Sequence, residues 1–277
     1  MLVVDGYGSH YTGQRIHGYP SWMHFTYYSY RGQYPDGAPL PYGPNATHQS
    51  VDILARRLAD QINDLHKRTG APIGVIAHSE GTVVFRAYLR EHRDPPVDTV
   101  VLLSPLVRPV RIYYPPRSTD SWGVGLGWEV RLLAMLSRWQ TGSTVSADEP
   151  FVRSILAAGP YFRNRMLCPV QGIRIVAFLP TASAAAVPPA GHLSNVPVVE
   201  IRTVHGALTD HGALRDTILA TLTGGPLPTQ DLTSYELVQG AAAGWQAPSL
   251  PLAYVPTWRS NQSPDAPLTN TRACDPP

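Results

Sequence analysis

Six short runs of β-branched or aromatic residues punctuate the 277-residue chain: "LVVD" (2–5), "FTYYSY" (25–30), "IGVIAH" (73–78), "TVVLLS" (99–104), "IRIVAFL" (173–179) and "VPVVEIRTV" (196–204). The third, fourth and fifth are almost wholly apolar, as strands covered on both faces of a parallel sheet are. Helical spacing fills the gaps between them. In "THQSVDILARRLADQINDLHKRTG", Leu54, Leu58, Ile62 and Leu65 recur along one face, Gly70 and Pro72 close the segment, and Thr47 or Ser50 is available to cap its start. After Ser79, "TVVFRAYLREH" sets Val83 or Val84 on one side with Ala87 and Tyr88. Beyond Asp210, the stripe Leu214, Ile218 and Leu222 ends at Gly224, Gly225 and Pro226. Strands alternating with helices predict an open, mostly parallel α/β sheet.

Two stretches break this rhythm. Residues 106–168 separate the fourth and fifth strands and hold one amphipathic helix, "WEVRLLAMLSRW" (128–139). Gly123, Gly125 and Gly127 precede it, so the insertion reads as a movable lid or, alternatively, as a rigid cap. From 226 to 277 the chain is rich in Pro, Ser, Thr and Ala without periodicity, as expected of an extended tail that wraps the domain or is partly disordered. The organisation expected is therefore one domain over 1–225, with a cap insertion at about 106–168, followed by the tail. No internal repeat is present.

Composition narrows the partners. Hydrophobic residues make up 43% of the chain, enough for one large core or two small ones. Charged residues are only 15%, the net charge is +2, and Lys67 is the single lysine. With the arginines scattered and no basic block, nucleic-acid binding is excluded as a reading. No apolar run approaches the ~20 residues of a membrane span. "MLVVDGYG" reads as the first core strand rather than a targeting sequence. The chain as given is thus expected in the cytoplasm, or outside the cell if it is a mature or trimmed form. Cys168 and Cys274 form either one bridge pinning the tail or two unpaired thiols. His10, His17 and His24 recur every seven residues, which matches no compact metal-ligand spacing, so no metal is expected. In the aromatic-rich "GYPSWMHFTYYSYRGQYP", Tyr19, Trp22 and Tyr34 are candidates to line an apolar pocket, with core packing the commoner use of such residues.

The candidate chemistry centres on Ser79, which stands between an apolar strand and a helical pattern in "IGVIAHSEGTVVFRAYLREH". A serine hydroxyl attacks a carbonyl only when a base removes its proton and donors stabilise the oxyanion. A sharp strand-to-helix turn exposes the hydroxyl above a helix N-terminus and demands small residues two positions away on each side. Those residues are Ala77 and Gly81, giving A-x-S-x-G. The other reading is a polar residue that merely ends a strand.

On these residues the sequence resembles the α/β-hydrolase superfamily, its lipase and esterase-like branch in particular, over about residues 1–225. The resemblance implies an α/β-hydrolase fold with helices on both faces of the sheet and a lid insertion, beginning at the third strand of the full eight-stranded pattern. It implies an oxyanion hole made by the backbone N–H of Glu80, which follows the nucleophile, and by that of Tyr7. Tyr7 lies in "VVDGYGSH", where Asp5 replaces the histidine of the usual H-G-x-G.

The same resemblance implies a histidine base after the last strand. "VEIRTVHGALTDHGALRD" offers His205 and His211. His205 directly follows the strand, and "HGALTDHGALRDTILATLTG" fits the branch's H-x-x-L-L layout with His205 as base. His211, the alternative base, is placed in a first helical turn, where the dipole disfavours the imidazolium. The acid departs from the family pattern. "FLPTASAAAVPPAGHLSNVP" contains no carboxylate, and Ser183 stands where the acid is expected. A neutral serine can orient an imidazole but does not stabilise its cation as a carboxylate does. Asp120, in the preceding loop, is the other candidate acid, and a solvated turn residue is its plainer reading.

The function expected is serine hydrolysis of carboxylic esters through an acyl-enzyme, on a small-molecule or lipid-like ester, with no cofactor and no integral membrane segment. This leaves room for peripheral membrane contact. Acyl transfer, thioester cleavage or cyclisation in the same pocket are the enzymatic alternatives. A binding protein that kept the fold without efficient chemistry is the alternative from another class, since fold alone does not decide among them.

Overall fold

The computed structural model describes residues 1–16, 19–105, 149–158, 165–182, 196–209 and 211–229. Asp120, Ser183, His17, Cys274, the glycines at 123, 125 and 127, the helical pattern at 128–139 and the tail from 230 lie outside the described residues.

Six strands, β1 (Leu2–Val4), β2 (Thr26–Tyr27), β3 (Ile73–His78), β4 (Val97–Leu103), β5 (Arg174–Ala182) and β6 (Val198–Val204), form one sheet. Their order is β2-β1-β3-β4-β5-β6, and every pairing is parallel. Because strand side chains alternate, each central strand feeds two cores. Val75, Ala77, Val100, Leu102, Ile175 and Ala177 face one way. That face is covered by α1 (Val51–Thr69), α2 (Glu80–Glu91) and α3 (Pro150–Ala157). Ile76, Val101, Leu103, Val176 and Phe178 face the other way, onto Leu214, Ile218 and Leu222 of α4 (Gly212–Leu222). Burial on both faces is the reason these strands read as continuous apolar runs.

The periodic stripe of α1 is the buried one: Leu54, Leu58 and Ile62 are fully buried, and Leu65 packs at the core's margin. Gly70 ends the helix with φ +66, returning its N–H to the His66 carbonyl at 2.8 Å, the left-handed stop that glycine tolerates without strain. The start differs from the expectation. Ser50 is the N-cap but its side chain makes no capping bond, and the Val51 N–H is taken by Ser154 Oγ of α3 at 2.8 Å. The other cap candidate, Thr47, lies in a 3-10 turn (Pro44–His48) and accepts the Gly8 N–H at 2.9 Å.

The second strand is shorter than "FTYYSY" suggests. The Tyr28 N–H still bonds the Val3 carbonyl at 2.7 Å, but at Ser29 the chain leaves the sheet. There the Gln61 side chain accepts from the Ser29 N–H and donates to its carbonyl, each at 2.9 Å. A buried amide side chain thus satisfies the two backbone groups that a further strand residue would have paired. In the segment before β5, the carbonyls of Met166 and Cys168 accept from the buried Arg86 of α2, at 3.1 and 2.6 Å. Cys168 is disulfide-bonded, so it is not a free thiol.

Candidate active site

In an all-parallel sheet the carboxyl ends of every strand lie along one edge, and the loops leaving them converge there. β1, β3, β4 and β6 deliver Asp5–Tyr7, Ser79, Ser104 and His205 to that edge.

Ser79 follows β3 without a break, its N–H still bonding the Leu103 carbonyl of β4 at 3.0 Å. Its backbone sits at φ +50, ψ −114, a strained conformation for a residue with a Cβ. α2 starts at the next residue. The Ser79 carbonyl accepts from the Thr82 N–H at 3.0 Å and from Thr82 Oγ1 at 2.6 Å, which tightens the turn.

His205 opens a 3-10 turn (His205–Ala207) at the end of β6, and its Nε2 lies 2.8 Å from Ser79 Oγ. Burial, and secondarily the nearby His78, lower the His205 imidazole to about 3. The ring is therefore neutral at physiological pH and presents a lone pair to the hydroxyl. His211 is the N-cap residue of α4 rather than a member of its first turn, and it makes no hydrogen bond to Ser79. Its Nδ1 is buried without a partner among the described residues.

The loop after β1 packs directly against the serine. A Cβ placed on Gly6 would stand 3.0 Å from Ser79 Cβ, 3.5 Å from Ser79 Oγ and 3.2 Å from His78 Nδ1. Ser9 N–H returns to the Gly6 carbonyl at 3.2 Å with Gly8 at φ +75, the positive φ that a type II turn requires at its third residue. Contacts that hold this loop include the Gly8 N–H on Thr47 Oγ1, Tyr30 Oη on the Asp5 carbonyl at 2.5 Å, and the Tyr7 ring stacked on His48 at 4.4 Å. His48 Nδ1 in turn lies 3.3 Å from Glu149, just before α3.

Glu80 has two separate properties. As the first residue of α2 its N–H lacks an intrahelical acceptor and sits at the positive end of the helix dipole. Its side chain points inward and is fully buried, and neither carboxyl oxygen has a partner among the described residues. Burial raises that carboxyl well above its ordinary range, so it is held protonated.

Two residues at this edge carry no signal in the sequence. Ser104 ends β4 fully buried at φ +46 and donates from Oγ to the His205 carbonyl at 2.8 Å. His78 Nε2 lies 3.2 Å from the same carbonyl.

Among the described residues, no group of three or more His, Cys, Asp or Glu is arranged to hold a metal ion, and no helix is long and apolar enough to cross a membrane. A cavity of about 470 Å³ beside β2 is lined by Tyr19, with Tyr27 and Phe25 but also Gln14, Arg15 and His24, so it is not the apolar pocket expected. Trp22 and Tyr34, the other expected lining residues, are exposed instead.

The parallel sheet order, helices on both faces and the strained strand–turn–helix at Ser79 make this an α/β-hydrolase-like fold. No protein-family model and no curated protein matches the chain. Similar solved structures include a hydrolase from Oleispira antarctica, at 11% identity and a TM-score of 0.40, covering 65% of this chain and 74% of that one. Lipase B of Aspergillus fumigatus is similar at 15% identity and a TM-score of 0.32, covering 79% of this chain and 60% of its own.

Proposed function

We propose that this protein is a serine hydrolase that cleaves carboxylic esters through an acyl-enzyme intermediate. The observation that carries the reading is the 2.8 Å contact between Ser79 Oγ and His205 Nε2, made across 126 residues of sequence at the carboxyl edge of the sheet. A neutral imidazole in hydrogen-bond reach of a hydroxyl on a strained turn is the arrangement that nucleophilic catalysis by serine needs.

In this reading Ser79 Oγ attacks the ester carbonyl carbon as its proton passes to His205 Nε2. The tetrahedral oxyanion is met by the Glu80 N–H at the helix terminus and by the Tyr7 N–H from the loop packed against the serine. Collapse breaks the bond to the alkoxide, which takes the proton from His205 and leaves as alcohol. Water, deprotonated by the same imidazole, then attacks the acyl-Ser79 carbonyl; collapse of this second intermediate breaks the bond to Ser79 Oγ, which takes the proton back from His205, and the carboxylic acid leaves. His205 must be the Nδ1–H tautomer for its Nε2 to accept. An imidazole this weakly basic accepts a proton reluctantly, so turnover depends on what stabilises the cation. Asp120 and Ser183, the candidates for that role, remain proposals from the sequence.

The reading is tested by covalent labelling with a fluorophosphonate probe and by turnover of a short activated ester. Ser79→Ala abolishes both. His205→Ala is as inactive as Ser79→Ala, because the pair acts as a unit, while His211→Ala retains most activity. Labelling of Ser79→Ala at the wild-type rate overturns the reading.

A further inference from the structure

We propose that Ser104 and His78 form a two-donor clamp on the main-chain carbonyl of His205 and thereby position its imidazole against Ser79. The inference rests on the catalytic reading of Ser79 and His205 and adds two positioning residues to it.

The carbonyl of His205 receives Ser104 Oγ at 2.8 Å and His78 Nε2 at 3.2 Å. A carbonyl oxygen only accepts, so both groups donate, and His78 carries its proton on Nε2. The donors arrive from the ends of β4 and β3, the two central strands, and so tie the loop after the outermost strand to the rigid middle of the sheet. Neither donor is loosely held. Ser104 is fully buried, with its N–H on the Phe178 carbonyl of β5 at 3.0 Å. The His78 ring is backed by Gly6, where an added Cβ would stand 3.2 Å from Nδ1.

Apart from Ser79, Ser104 is the one non-glycine residue at positive φ among the described residues. Backbone strain of this kind persists where the surroundings over-determine it, and it gathers at functional sites. Here the strained conformation ends at a hydroxyl aimed at the residue that bears the base. Fixing both carbonyl lone pairs of His205 restricts the peptide plane, and with it the direction of the Cα–Cβ bond that carries the ring. Hydrogen-bond geometry to the serine is lost with displacements of well under 1 Å, so such a restraint acts on rate.

Ser104→Gly separates this role from a merely structural one, because glycine relieves the positive φ while removing the hydroxyl. The expected result is an unchanged or higher Tm, unchanged KM, and a loss of about 10- to 100-fold in kcat and labelling rate. His78→Phe gives a similar loss, whereas His78→Gln, which keeps a donor near the Nε2 position, recovers most of the rate. A Ser104→Gly variant that labels at the wild-type rate overturns the clamp. Failure of the catalytic reading is seen separately, as labelling that persists in Ser79→Ala. In that event ¹⁵N NMR of the histidines, which needs no turnover, still decides: unchanged His205 ring resonances in Ser104→Gly overturn the clamp, and a shifted tautomer mixture supports it.

Discussion

Gly81 of α2 and Val4 of β1 meet so closely that a Cβ on the glycine would stand 2.3 Å from the Val4 carbonyl oxygen. The obstacle is backbone, in a strand hydrogen-bonded to two neighbours, so it does not yield as a side chain would. This approach is what seats the start of α2, and with it Ser79, against the loop that follows β1.

Gly81→Ala therefore destabilises, although alanine is the better helix former by about 1 kcal/mol. The expected loss is at the upper end of the about 1–3 kcal/mol of overpacked cores, read as a lower urea midpoint. Gly43→Ala, where an added Cβ meets nothing within 4 Å, serves as the control and stays within about 0.5 kcal/mol.

The buried Glu80 carboxyl predicts a dependence of stability on pH. In the fold its titration lies well above the ordinary 4.5, because burial penalises the charged form. Above 4.5 the unfolded chain has lost a proton that the folded chain retains, so stability falls as pH rises through the window up to the folded value. Glu80→Gln cannot ionise. Its Tm relative to wild type is expected to increase as the pH rises above 4.5, and a difference independent of pH would refute the buried, protonated state.

His205 predicts the opposite slope on the acid side. Its folded value is lowered from 6.5 to about 3 by burial and by His78. Between those two values the unfolded chain binds the additional proton, so stability contributed above pH 6.5 is lost as pH falls toward 3. His205→Gln flattens that limb in a pH series of thermal melts. For the wild type, kcat/KM on a neutral ester keeps its plateau well below pH 6.5, since this ratio reports the free enzyme's base. An acid limb centred near 6.5 would contradict the neutral, desolvated imidazole.

The apolar runs of β3, β4 and β5 and the stripes of α1 and α4 were legible in the sequence, whereas α2 is buried on every side from Glu80 to Tyr88. Burial on two sheet faces writes a continuous apolar run into the chain, and burial on one helix face writes a period. Ser79 stood out because a turn of that sharpness needs small residues at fixed local offsets. The true extent of β2 was not legible, because its last residues are diverted by Gln61, 32 positions from Ser29. Neither was the capping of α1, which uses Ser154 rather than its own Ser50.

The sequence by itself determined an alternating α/β chain, a sheet covered on both faces and a serine placed on a strand-to-helix turn. These follow from interactions among residues a few positions apart. Only the tertiary structure decided which of two histidines reaches that serine, and that Ser104 and His78 meet the His205 carbonyl from 101 and 127 residues away. A hydroxyl or an imidazole takes partners from any part of the chain. Which partner it takes is decided when the parallel sheet brings the carboxyl ends of distant strands to one edge.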